Sequence, residues 1–205
     1  MSEIHRKSIG ALLLEVVLIG VAVFLGLLAD EWRERQQHAA LAMRALADFR
    51  EEIVANKLMV ERVVKYHADI RDRLEDFIKA TGPKDASAFR TVVHFDGTKP
   101  VIYERSAWEL AVANQALTYI KPDTAFRLSK LYTRQRYIES FQTSFMQGLL
   151  SPQAFSQRDL VPLSIALNTY FTDISMFEPG IITAYDEAAR ALNAELGSTP
   201  PAAGQ

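Results

Sequence analysis

The stretch ALAMRALADFREEIVANKLMVERVVKYHADIRDRLEDFIK, residues 40–79, decides the fold. It lies within the longest run of the chain that has no helix breaker, since neither glycine nor proline occurs between Leu27 and Thr81. Apolar or small residues recur in alternating steps of three and four: Ala39, Ala42, Leu46, Phe49, Ile53, Asn56, Val60, Val63, His67, Ile70, Leu74 and Phe77. This is a heptad seam with polar members at Asn56 and His67. A seam of this length must be covered, either by later helices of the same chain in an antiparallel bundle or by a second copy in a parallel coiled coil. The long helices available downstream favour the bundle. His67 then reads as a hydrogen-bonded core or interface residue, and the charged positions Arg50-Glu51-Glu52, Arg71-Asp72-Arg73 and Glu75-Asp76 as the solvated outer face.

Towards the N-terminus the composition changes. Ser8 to Ala29 (SIGALLLEVVLIGVAVFLGLLA) is apolar apart from Glu15. As a helix it is about 33 Å long, against a hydrocarbon core of about 30 Å. The sequence therefore predicts a transmembrane helix over 8–30 that runs on into the seam. Arg6 and Lys7 in a short tail over 1–7, and a poor small-x-small site at Leu27-Leu28-Ala29, predict an uncleaved signal anchor. The basic pair before the span competes with Arg33, Arg35 and Arg44 after it; the short tail favours a cytoplasmic N-terminus and a periplasmic domain at a bacterial inner membrane. Trp32 follows the span at headgroup level, as an interface anchor.

Glu15 is the residue of the span that demands a reason, because a carboxylate in hydrocarbon costs roughly 2.5–3.5 kcal/mol on insertion scales. At 100° per residue, Glu15, Ile19, Ala22, Gly26, Ala29 and Arg33 share one sector of the helix. Ala22 and Gly26 are small enough to let a second helix approach closely. Two readings stand open: partner recognition or proton handling on this face, or a carboxylate that snorkels to the membrane edge or is protonated.

Towards the C-terminus, Thr81-Gly82-Pro83 ends the long helix. Thr91 to Phe95 and Val101 to Tyr103 are short β-type runs around Asp96-Gly97, which predict a loop or a small hairpin. Trp108, Leu110, Ala111, Leu117 and Ile120 form a helical stripe. Pro122 opens a helix to about Leu150 with Phe126, Leu128, Leu131, Tyr132, Ile138, Phe141, Phe145 and Leu149 buried. After a break at Ser151-Pro152, a last helical region runs from about Leu160 to Leu196, with a kink or break at Pro179-Gly180 and a disordered tail over 197–205. The fold class is all-α: the span, then a helical extramembrane domain over 31–196 built as an elongated bundle, with three or four further helices packed on the first.

Composition excludes several functions. With 205 residues there is room for one span and one domain; a net charge of −2 and a pI near 6.1 show no basic excess for nucleic acid. Cysteine is absent, which removes disulfides, thiolate metal sites and thiol nucleophiles. His5, His38, His67 and His94 share no ligand spacing, so no metal site is expected. There is no P-loop, G-x-G-x-x-G, G-x-S-x-G or H-E-x-x-H string, and scattered acids such as Asp173, Asp186 and Glu187 read as surface charges. No catalytic residue and no cofactor is predicted.

The segment Ile9 to Glu34 resembles an uncharacterised family of bacterial single-span membrane proteins. Its motif is a glutamate early in the span, here Glu15, a centre like Ile19-Gly20-Val21, and an acidic residue and tryptophan followed by a charged pair, here Asp30-Glu31-Trp32-Arg33-Glu34. The spacing from Glu15 to Trp32 matches; the family's glycine beside the glutamate is displaced to Gly10. Ser106 to Tyr137 is similar to the family's aromatic, small-residue turn and following helix. The resemblance implies membrane anchoring and a helical domain, and brings no activity. The expected function is an accessory or scaffold subunit whose partners are the lipid bilayer and other membrane subunits or further copies of itself. The competing expectation is a stator-like or channel subunit in which Glu15 carries protons, similar to the acidic single spans of flagellar-motor and TonB-system stators, which however use aspartate.

Overall fold

The computed structural model describes residues 3–149 and 160–198. Those residues are helical or irregular, with no strand among them. Helix α1 spans Glu3–Lys79, α2 Ala86–Val93, α3 Ser106–Ala113, and a 3-10 turn Ala116–Tyr119; α4 spans Pro122–Leu149 and α5 Val161–Ser198. The helix begins at Glu3, so most of the segment expected as a tail over 1–7 is helical. Ser151-Pro152 and residues 199–205 lie outside the described residues.

The chain runs up, down, up and down along α1. Lys84 donates its ammonium to the carbonyls of Phe77 and Ile78 and so ends α1, where cations complement the free carbonyls. Gly82 takes φ +138°, a conformation open to glycine. Asp85 caps α2 by accepting from the Ser87 and Ala88 amides at 2.9 Å. Residues 94–105 then return along α1 as an irregular strap, with Thr98 beside His67 and Glu104 beside Asn56. Of the expected loop or small hairpin, the loop is what forms over 94–105: the first β-type run is helical through Val93, and the strap bonds to side chains of α1, not to a second strand. Helix α3 and the 3-10 turn carry the chain down to His38, whose ring stacks on Tyr119 at 3.9 Å. From there α4 rises with its Tyr132 beside Phe49 of α1, and α5 descends from Lys84 past Arg71 and His67 to Lys121.

The seam is the core. Ala42, Leu46, Phe49, Ile53, Asn56, Val60, His67, Ile70, Leu74 and Phe77 are buried, while Val63 is half-buried and Ala39 is exposed. Its main cover is α5, which packs against α1 along most of its length and against α4 on its other side. Helix α4 reaches α1 chiefly through long side chains such as Tyr132, whose ring lies 5.9 Å from that of Phe49. The seam is thus filled from within the chain and is not open to a parallel coiled coil. Each fully buried large side chain contributes about 1.5–3 kcal/mol.

Two expectations about α4 and α5 are corrected. Phe126 is 60% exposed, since Thr124 and Leu128 face the core in its place. Of the kink or break expected at Pro179-Gly180, the break does not occur, and α5 runs through it. Neighbouring polar groups bond to the carbonyls there: the Thr183 hydroxyl donates to Pro179 at 2.9 Å and Arg134 to Gly180 at 2.7 Å. Packing also starts later than residue 31, because every side chain from Gly10 to Gln37 is exposed.

Candidate functional site

Two features stand out: an uncovered apolar half of α1, and a polar seam inside the bundle. In the uncovered half one window reaches a mean hydropathy of 2.8 with none of it buried in the chain. This helix is long and apolar enough to cross a membrane. Glu15, Ala22 and Gly26 are exposed, and a Cβ added at Gly26 would meet nothing within 4 Å. They fall within a sector of about 40° on the helical wheel. No other element among the described residues approaches them. Trp32 is 66% exposed beyond the apolar run, followed by charges that pair along the helix, Arg33 with Asp30 at 2.7 Å and Arg35 with Glu31.

The polar seam holds the strap. The Asn56 amide donates to the Glu104 carbonyl at 2.8 Å and accepts from the Glu104 amide at 2.9 Å, pairing with one residue as a neighbouring strand would. Tyr66 accepts from the Asp96 amide at 3.0 Å and donates to the Gly97 carbonyl at 2.6 Å, and Lys99 lies 4.1 Å from the centre of its ring. His67, with no exposed surface, has Nε2 3.0 Å from the Thr98 carbonyl and Nδ1 2.5 Å from Glu178. The Thr98 carbonyl can only accept, so the Nε2 side of the ring is the donor in that contact. An irregular segment has no ladder of its own, and these side chains supply the partners its backbone lacks.

Sequence reasoning read Glu52 as solvated, yet it is buried: it accepts from the Tyr132 hydroxyl at 2.5 Å and from the Ala107 amide at the start of α3 at 2.8 Å. It sits three residues after Phe49 and four before Asn56, so the heptad spacing itself carried the signal. Glu178 was missed likewise, although it stands four after Ile174 and three before Ile181. Gln135 donates to the Tyr185 hydroxyl at 2.8 Å in the same layer. Burial drives the tyrosine hydroxyls of this layer upward: Tyr170 is pushed up to about 12, and Tyr103, Tyr132 and Tyr185 further, Tyr132 with the added effect of the Glu52 carboxylate.

The arrangement is suited to holding chain segments together. Of the predicted site residues, the structure gathers Phe49, Ile53, Asn56, His67 and Ile70 in one core, and leaves Glu15, Ala22, Gly26 and Trp32 apart from it. His94 is an exposed cap of α2 in the left-handed conformation. Among the described residues no group of three histidine, aspartate or glutamate side chains is placed to hold a metal ion. No family model matches the chain, and no curated protein and no solved structure shows significant similarity to it.

Proposed function

We propose that the chain is a membrane-anchored accessory or scaffold subunit of a bacterial inner-membrane assembly or homo-oligomer, with its bundle on the periplasmic side. One observation carries the reading: α1 is a single helix whose apolar half touches nothing among the described residues of its own chain while its other half is the spine of the bundle. Such a rod ties any partner in the membrane to the surface outside it. The open face includes a carboxylate, Glu15, and a charge in hydrocarbon is best accommodated against another helix. The protein then acts by binding and not by catalysis, in keeping with a polar seam whose hydrogen bonds are spent on its own backbone. Membership of the single-span family resembled at Ile9 to Glu34 is part of the same proposal.

The test is co-purification from mildly solubilised native membranes. The tagged chain is expected in a particle larger than a monomer, and Gly26→Leu is expected to dissolve that particle while insertion persists, since leucine inserts readily. A monomer in both cases would overturn the reading. Proton carriage is the second reading, favoured by the same exposed carboxylate. Glu15→Gln separates the two, because it keeps shape and hydrogen bonding and removes the charge: assembly retained with activity of the complex lost would transfer support to it.

A further inference from the structure

On the outer side of the bundle a groove runs between α4 and α5. Three adjoining hollows, of about 310, 230 and 390 Å³, follow one another along it. Arg134 is the shared wall of the first two, and Asp123, Arg127 and Glu187 are common to the last two. On the α5 side the lining steps through Met176, Gly180, Ala184, Glu187 and Ala191, one helical face about 22 Å long at 1.5 Å per residue. Its floor is small: a Cβ at Gly180 would meet only the Arg134 guanidinium, at 3.9 Å. The rims are large and apolar. Met176, Tyr137 and Phe126 are 70%, 61% and 60% exposed, three of the four most exposed large apolar side chains among the described residues of the bundle.

A floor of small residues with aromatic rims accepts a helix by its apolar face. The charges choose among helices. Arg127, Lys130, Arg134 and Arg190 line the groove against Asp123 and Glu187, a balance of +2. Asp123 is moreover bound to Arg127 at 2.8 Å. We infer that this groove docks an acidic amphipathic helix of another polypeptide. A second copy docked groove to groove would set +2 against +2, which opposes association. A bilayer surface perpendicular to α1 would reach only the lower end, near Asp123 and Arg190, and leave Tyr137 and Met176 uncovered. The inference deepens the scaffold reading, on which it rests, by naming the chemistry of the partner.

The experiment uses the full chain in its native membranes, with the photo-crosslinking residue p-benzoylphenylalanine in place of Phe126 or Tyr137, and in place of Val54 on α1 as a control. The expected result is an adduct at 126 and 137, absent at 54, with a helical segment of another protein that is net acidic. In Lys130→Glu with Arg190→Glu, two exposed changes that leave the thermal melt unaltered, the adduct should fall on the order of tenfold. Gly180→Leu, which fills the floor, should do the same without a charge change. Adducts confined to another copy of this chain or to phospholipid, or an adduct indifferent to both variants, would overturn the inference. Should a large particle persist on native gels with no adduct in the groove, the docking site fails and the scaffold reading stands; a monomeric chain would mean that the scaffold reading itself is wrong.

Discussion

The two halves of α1 have the same backbone and opposite surroundings. From Ala42 to Phe77 the helix presents a stripe of apolar and small residues that α5, α3 and the strap bury. From Gly10 to Ala29 it is apolar on every side except at Glu15, and nothing among the described residues lies against it. The contrast teaches how burial is encoded. A half that must be dry on one side only carries a period of three and four, whereas a half built for lipid has no polar side to oppose, and its interaction face has to be found from small residues and from one misplaced charge.

The strongest way to break the comparison is Ile53→Asp. It places an unpaired charge at the centre of the seam and removes apolar burial, so the bundle should lose about 4 kcal/mol or more and little folded domain should remain by circular dichroism, while the apolar half still inserts. An unchanged melting temperature would mean that the stripe is not the core.

Alkaline pH should act next, and on the bundle alone. Tyr103, Tyr132, Tyr170 and Tyr185 hold their protons more tightly when folded than the ordinary value near 10. Above pH 10 the unfolded chain therefore releases these protons first, the folded state binds more of them, and stability falls as pH rises. Denaturation midpoints should be level below about pH 9 and decline beyond pH 10, with four of the seven tyrosines adding tyrosinate absorbance only as the fold is lost. Ionisation of all seven without loss of fold would show that these four hydroxyls are not in the dry layer.

A smaller effect is expected where the strap is clipped. Asn56→Ala leaves the Glu104 amide and carbonyl without their partner and should cost about 1–3 kcal/mol, with faster hydrogen exchange at Glu104 and no change at Ile70 or Leu74. Uniform exchange rates would contradict a locally held strap.

What was legible in the sequence follows from the same physics. The long helix, its end before Gly82, the helix opened by Pro122 and the seam could be read because periodicity and breakers are local. The strap was not. Thr91 to Phe95 has β-type residues, yet Asp85 starts a helix just before it and Val93 is needed in the core, so burial prevailed over propensity. Pro179 was read as a kink or a break because the missing amide is all that sequence shows there, and α5 nonetheless continues through it. Glu52 looked like a surface charge and Glu178 drew no reading, because their partners are a hydroxyl and an amide more than fifty residues away, and a histidine farther still.

The central claim is that one half of α1 is covered by its own chain and the other by a different one. Oxygen accessibility of spin labels on single cysteines in the apolar half tests it most directly, in a chain that has no cysteine of its own. In native membranes, labels at positions 22 and 26 should be shielded from oxygen while labels at 17 and 24, on the opposite face, are open to it. After dispersal to monomers in detergent all four should become equivalent while the bundle keeps its melt. Equal accessibility of all four in the native membrane would contradict the account, and would make this half of the helix an anchor in lipid and nothing more.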